Sequence, residues 1–250
     1  MQLTKLKNIK IIAFDLDGTL TSSKKPIETK IRNILQDLAK RYLVFIIGGG
    51  RKKQIEKQLK SLSSQKNIII GSQSGTEIWF NSKKIIKGKS MPKNLVKKIK
   101  NELNKILKEE KLTKKFLKVY GKRYDFRGNQ LTISLLGQKA PFKEKNNFFQ
   151  KDKKEKIRLK ILKKLLAKFK NIEVSLGGLT SIDITLKGYH KGSALEKLIK
   201  KLKIKKNEVV FFGDQIYPYG NDFQVAKRGF LCFSVKNKNE TLKLLKKLFF

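Results

Sequence analysis

The sequence has 250 residues and carries 60 lysines and arginines against 20 aspartates and glutamates, a formal net charge of +40. Its apolar residues, 39% of the total, are spread along the whole chain, enough to fill the core of one large or two modest folded domains. No apolar run nears the roughly 18 residues of a membrane-crossing helix and no secretory signal is expected; the single cysteine, Cys232, excludes an internal disulfide and fits a reducing cytoplasm.

In chain order, the first predicted element is a buried parallel strand over Ile9–Phe14, ended by Asp15-Leu16-Asp17-Gly18-Thr19-Leu20. Strand alternation is expected to turn Asp15 and Asp17 to the same side. Two carboxylates that close need a cation between them or a proton on one. A plain Asp-Gly turn requires neither the first aspartate nor the threonine. A helix over Ile27–Tyr42, a strand over Leu43–Ile47, Gly48-Gly49-Gly50 and a helix from about Arg51 to Leu62 follow. A strand, a glycine turn and a helix start together make an anion site out of backbone N–H groups. Asn67–Ile70 is a third strand, and Glu77–Phe80 with Ile85–Lys87 read as a hairpin. This alternation predicts an α/β fold with a doubly wound parallel sheet.

From about Ser90 the pattern changes. A helix over Asn94–Leu112 precedes strands over Phe116–Phe126 and Leu131–Leu136. A helix over Asp152–Phe169 then leads to strands over Ile172–Leu176 and Ser181–Leu186. Residues 90–187 therefore read as an inserted α+β domain within a core of 1–89 and 188–250. The core pattern resumes with a helix over His190–Leu202 carrying Lys191, then a strand over Glu208–Phe212 ending in Gly213-Asp214. The loop Gln215–Asp222, a strand over Phe230–Val235 and a helix over Glu240–Phe249 complete it.

Only seven of the 60 basic residues are arginine, and the lysines lie on nearly every predicted helix and loop. Such charge suits nucleic acid or an anionic surface, or simply solvated helix faces. The last reading is preferred, because a reader of nucleic acid clusters its charge and uses arginine. The field still attracts anionic substrates such as sugar phosphates.

The scattered pieces form one chemical set. Asp15 is placed to attack phosphorus and carry it as an aspartyl-phosphate, with Asp17 as acid and base toward the leaving and accepting oxygens. Asp214 and Asp222, with Asp15 and Asp17, supply the oxygen ligands that Mg²⁺ prefers. Lys191 neutralises phosphoryl oxygens and keeps Asp15 ionised. A lone His190 and a lone Cys232 argue against zinc.

Asp15-x-Asp17-Gly18-Thr19 resembles the first motif of the haloacid dehalogenase-like superfamily of phosphotransferases. Over nearly its whole length the chain is similar to one branch, the phosphomannomutases of eukaryotic type. The stretches that carry the resemblance are Asp15-Leu16-Asp17-Gly18-Thr19-Leu20-Thr21, Phe126-Arg127-Gly128-Asn129, Asp152-Lys153-Lys154-Glu155-Lys156-Ile157-Arg158, Gly177-Gly178…Ser181-Ile182-Asp183 and Phe211-Phe212-Gly213-Asp214…Gly220-Asn221-Asp222. The resemblance implies a phosphotransfer core with a cap, Mg²⁺, a hexose phosphate substrate and dimers formed through the caps. It implies the nucleophile at Asp15, the acid/base at Asp17, metal carboxylates at Asp214 and Asp222, and cap contacts to the substrate at Arg127, Ser181 and Asp183.

The chain departs from the family pattern at Lys24, Gln138 and Lys145, where arginines are expected. It departs again at Gly49 and Gly50, where the second motif would carry a phosphate-binding hydroxyl. Backbone N–H groups there, beside Arg51, are the expected substitute. Lysine keeps charge but loses the planar fork, and Gln138 loses the charge. A mutase moving phosphate between C1 and C6 of mannose or glucose is the first expectation. A sugar phosphatase on the same scaffold is the second, and a basic nucleic-acid-binding protein on an inactive fold the third.

Overall fold

The computed structural model describes residues 6–110 and 118–250. The chain divides into two compact units, one of Met1–Gly88 with Tyr189–Phe250 and one of Lys89–Gly188. The end of the helix expected to reach Leu112, and the start of the strand expected at Phe116, lie outside the described residues.

In the first unit, strands β1 (Ile11–Asp15), β2 (Leu43–Ile47), β3 (Ile68–Ser72), β4 (Glu77–Phe80), β5 (Lys83–Lys87), β10 (Val209–Gly213) and β11 (Leu231–Ser234) form one sheet. Its order is β11-β10-β1-β2-β3-β4-β5. The first five are mutually parallel, and β4 and β5 pair antiparallel at the edge. Alternation along each strand feeds two cores. Ile12, Phe14, Val44, Ile46, Val210 and Phe212 pack under α1 (Thr29–Ala39), α2 (Lys52–Leu59) and α8 (Lys238–Phe249). Ile11, Ala13, Phe45 and Ile47 pack under α6 (Lys191–Leu202) and α7 (Phe223–Lys227). Phe212 stacks between Phe14 and Phe233, with ring centroids 5.3 and 5.1 Å away. Burial of one such ring contributes roughly 1.5–3 kcal/mol. The β4–β5 turn is Asn81-Ser82, both at positive φ, the conformation that a two-residue hairpin of this twist requires.

In the second unit, β6 (Tyr124–Phe126), β7 (Gln130–Ser134), β8 (Ile172–Gly177) and β9 (Ser181–Leu186) form an antiparallel sheet in the order β6-β7-β9-β8. Leu131, Ile133, Ile182 and Ile184 turn to a core shared with α3 (Lys93–Glu109) and α5 (Ile157–Lys168), while Thr132 and Asp183, paired across β7 and β9, take the other face. The helix expected over Asp152–Phe169 is in fact two. A helix α4 (Phe142–Glu155), which a weak apolar pattern hid, ends where Lys156 adopts the left-handed conformation, and α5 starts at once. The break serves a buried ion pair. Asp152 accepts from the Arg158 backbone N–H and from its Nε, both at 2.7 Å, and Arg158 also donates to the carbonyls of Gly177, Gly178 and Ser181. That arginine therefore holds the β8–β9 hairpin in place. No helix among the described residues is long and apolar enough to cross a membrane.

Candidate active site

Parallel strands bring their carboxyl ends to one edge of a sheet, and ligands bind there where the strand order reverses. Asp15 is the last residue of β1, and Asp214 directly follows β10, its hydrogen-bonded neighbour. Asp222 immediately precedes α7, and Lys191 is the first residue of α6. Segments distant in sequence thus place three carboxylates and one ammonium together.

The Lys191 ammonium is fully buried. It donates to Asp15 Oδ1, to Asp222 Oδ1 at 2.6 Å and to Asn221 Oδ1 at 3.1 Å. Burial alone would lower its pKa, but Asp15 and Asp222 outweigh burial and hold the Lys191 pKa above its ordinary value. Burial, with Asp222 and Asp214 as neighbours, holds the Asp15 carboxyl well above the usual range, with Lys191 opposing. Burial and then Asp222 push Asp214 up to about 6. Burial, with Asp222 adding, pushes the Cys232 thiol up to about 12, which disfavours the thiolate.

Oxygens of Asp15, Asp214 and Asp222 all lie within 4.8 Å of one another. One ammonium against three carboxylates leaves the cluster negative. Asp15 Oδ2 and Asp214 Oδ1 are buried and accept no hydrogen bond among the described residues. Both oxygens of Asp222 are engaged, Oδ1 by Lys191 and Oδ2 by the Gln215 N–H at 3.0 Å. Two unpartnered carboxylate oxygens in an all-oxygen donor set fit a hard divalent cation such as Mg²⁺. Asp15 and Asp214 are the residues free to hold it, and Asp222 holds Lys191 and the 215–222 loop. The glycines beside the cluster make room for it. A Cβ on Gly18, whose φ is +104°, would fall 2.5 Å from Asp214 Oδ2, and one on Gly213 would fall 2.5 Å from Asp222 Oδ2.

Asp17 is not part of that cluster. Strand β1 ends at Asp15, two residues short of Asp17, so strand alternation does not extend to that side chain. The chain instead turns back: Gly18 N–H donates to Thr21 O at 2.7 Å, and Asp17 Oδ1 accepts from Lys24 N–H at 2.7 Å and from Gln58 Nε2 at 2.9 Å. Lys24 meets Asp17 through its backbone, and its side chain is exposed.

The glycine loop is fixed by its carbonyls: Gly48 O accepts from Ser74 N–H and Gly50 O from Gln73 N–H, each at 2.9 Å. A Cβ on Gly50 would lie 2.9 Å from the Gln54 amide carbon, so Gln54 fills the space in which a hydroxyl-bearing side chain would start. Arg51 is exposed and precedes α2 as its N-cap.

In the second unit, Ser181 and Asp183 share one face of β9, as alternation requires. Asp183 Oδ1 accepts from Thr132 Oγ1 at 2.6 Å and Gln130 Nε2 at 3.0 Å, so this carboxylate is held within its sheet. Arg127, at the β6–β7 turn, pairs through Nε with Asp125 at 2.8 Å. Gln138 follows β7 and donates its N–H to Lys122 O, and Lys145 lies in the first turn of α4.

His190 caps α6. Its Nδ1 accepts from Ser193 N–H at 3.1 Å while Ser193 Oγ accepts from His190 N–H at 3.1 Å. Burial, then Arg228, Lys197 and Lys227, lower its pKa to about 4. The unfolded chain takes up this proton near pH 6.5 and the folded chain only near 4, so this contribution to stability is lost as pH falls through that window. Asp214, with its raised pKa, works in the opposite direction, so the comparison must be with a variant. We expect His190→Asn, which keeps a capping acceptor, to remove up to about 3 kcal/mol of acid sensitivity between pH 6.5 and 4, measured by urea unfolding at several pH values.

Sequence reasoning missed two residues here. Asn221 reaches Lys191 and could have been suspected from its place beside Asp222. Gln58 reads as a polar residue on a helix face, and only the fold brings it to Asp17.

The family model described as haloacid dehalogenase-like hydrolase matches residues 12–248, and the chain belongs to that family of phosphotransferases and hydrolases. Within it the chain is similar to phosphomannomutases. It is 27% identical over 254 residues to human phosphomannomutase 1, covering 100% of this chain and 95% of that one. It is 32% identical over 220 residues to phosphomannomutase of Dendrobium officinale, covering 86% and 84%. Among solved structures, an IMP-bound IMP-nucleotidase of Plasmodium falciparum superposes with a TM-score of 0.72 at 18% identity, over 99% of this chain and 70% of that one. A haloacid dehalogenase-like hydrolase from Bacteroides thetaiotaomicron gives 0.58 at 16% identity, over 96% and 100%. At these identities the two structures speak for the fold alone.

Proposed function

We propose that the chain is a Mg²⁺-dependent phosphohexomutase that interconverts hexose 1-phosphate and hexose 6-phosphate through an aspartyl-phosphate on Asp15. The observation that carries this reading is the buried Lys191–Asp15 pair at the end of β1, set beside Asp214 after β10 and Asp222 before α7. Full-length likeness to phosphomannomutases supports the choice of substrate. Lys191 holds Asp15 through Oδ1, and the Asp15 carboxylate is the nucleophile. Asp15 and Asp214 would hold the cation, which when bound would supply charge neutralisation toward the phosphoryl group. Asp17 gives a proton to the departing sugar oxygen and takes one from the accepting hydroxyl. Arg127, Ser181 and Asp183 of the second unit hold the distal phosphate and sugar hydroxyls, and that unit also pairs two copies of the chain.

A second reading is a sugar-phosphate phosphatase, with water as the acceptor. The observations in its favour are the absent hydroxyl at Gly49 and Gly50, the latter position filled by Gln54, and the uncharged Gln138. One tube separates the two: purified protein, Mg²⁺, mannose 1-phosphate and a trace of hexose 1,6-bisphosphate. We expect mannose 6-phosphate with little free phosphate, and no turnover once EDTA is added. Free phosphate released in step with substrate loss overturns the mutase in favour of the phosphatase.

A further inference from the structure

Gln58 is a neutral amide that the reaction as described does not use, yet it is only 4% exposed and aimed at a reacting group. It lies in the last turn of α2, and its backbone carbonyl accepts from Ile27 N–H at 2.8 Å, which ties the 17–27 loop to that helix. Its Nε2 donates to Asp17 Oδ1 at 2.9 Å, with a longer contact to Lys25 O at 3.4 Å. Its Oε1 is buried and has no partner among the described residues. A buried acceptor without a partner opposes folding, so this side chain is not placed for stability alone.

The two hydrogen bonds at Asp17 converge on one atom. Lys24 N–H and Gln58 Nε2 both donate to Oδ1, and among the described residues nothing donates to Oδ2. A carboxyl oxygen that accepts two N–H donors has no lone pair to spare for a proton of its own. We infer that Gln58 is a positioning residue for Asp17: together with the Lys24 N–H it fixes Oδ1 as an acceptor and so assigns the transferable proton to Oδ2. This rests on Asp17 being the acid/base proposed above. In the forward step a carboxylate oxygen of Asp15 forms a bond to phosphorus as the phosphorus–oxygen bond to the sugar breaks. The proton on Asp17 Oδ2 passes to that sugar oxygen, leaving Asp17 as a carboxylate. In the return step the carboxylate takes the proton of the accepting hydroxyl at the same Oδ2. Without Gln58 only the Lys24 N–H holds Oδ1, which then keeps room for a proton of its own.

Leaving-group dependence tests this. A sugar alkoxide needs a proton as it departs, whereas 2,4-dinitrophenolate leaves as the anion. Single-turnover phosphorylation of Asp15 ends at departure of the leaving group, before any acceptor is activated. We expect Gln58→Met to slow single-turnover phosphorylation of the enzyme by hexose 1,6-bisphosphate by about 10–100-fold, part of the 10²–10⁴ that general acid catalysis supplies. For 2,4-dinitrophenyl phosphate we expect less than about a threefold change, because Asp15, Lys191 and the cation site are untouched. The thermal midpoint is expected to stay or rise, since the unpartnered acceptor is gone. Gln58→Asn, whose amide is one methylene too short, is expected to show the same split and serves if the methionine variant folds poorly. Asp17→Asn is the control and must itself spare the aryl phosphate. If it does and Gln58→Met lowers both substrates equally, or neither, the positioning role is wrong while the acid/base assignment survives. If Asp17→Asn shows no split, the acid/base assignment fails and this inference falls with it. In the Asp17→Asn background, Gln58→Met is expected to cost less than about twofold more, the non-additivity of two residues acting as one unit.

Discussion

Lys191→Met is expected to destabilise the protein by about 3–5 kcal/mol at pH 7.5 and to reduce phosphoryl transfer by at least about a thousandfold. The stability loss is not that of a missing contact. Lys191 is fully buried, and its ammonium is the cation between Asp15 and Asp222. Methionine fills a similar volume but leaves two buried carboxylates facing each other with Asp214 beside them, which is far costlier than the loss of a surface pair. The pH dependence identifies the cause. Burial and the neighbouring carboxylates already hold Asp15 well above its ordinary range and Asp214 at about 6. Without the ammonium both rise further, and a group whose folded pKa is raised contributes stability as pH falls. The deficit of Lys191→Met against wild type is therefore expected to shrink between pH 7.5 and 5.5, read from urea unfolding at each pH. A deficit below about 1 kcal/mol, constant with pH, would mean that the cluster does not depend on Lys191 for its charge balance.

Most of the first unit was legible because its strands are buried on both faces. Ile11–Phe14, Leu43–Ile47 and Val209–Phe212 are unbroken apolar runs, and such runs alternating with amphipathic helices admit few arrangements other than a wound parallel sheet. The second unit was harder to read. Its α4 carries Phe148 and Asp152 as its buried residues in an otherwise charged stretch, so no apolar stripe marked it. The break at Lys156 follows from a side chain, Arg158, reaching back to Asp152, a tertiary event without local signature.

The site divides in the same way. Asp15, Asp214 and Lys191 could be located because each lies at a strand end or a helix start, where sequence punctuation is strong. For Asp15 and Asp17 strand alternation does not apply, because it carries period two to a residue two positions past the end of β1. Gln58 gave no signal, since its partner is 41 residues away and joined to it only by the fold.

Under the proposed function, Asp15→Asn is expected to abolish phosphoenzyme formation and to lower turnover by at least about 10⁴-fold, while leaving the fold at least as stable as before. The two halves of this prediction have one cause. Asp15 is an acid that the fold holds against three opposing influences, burial, Asp222 and Asp214, with only Lys191 in its favour. An amide at that position keeps an oxygen to accept from the Lys191 ammonium and removes one of three crowded carboxylates, so repulsion in the cluster falls. What it loses is the second anionic oxygen, Asp15 Oδ2, buried and without a hydrogen-bond partner among the described residues. That atom is a liability to the folded state and an asset to the reaction, the usual trade at a site built for chemistry. Intact mass after acid quench of a single turnover with hexose 1,6-bisphosphate reads the first half, with a one-phosphoryl adduct on the wild type and none on Asp15→Asn. Thermal unfolding without added metal reads the second. An adduct on the variant would move the nucleophile elsewhere, and a lowered midpoint would show that the Asp15–Lys191 pair outweighs the repulsion around it.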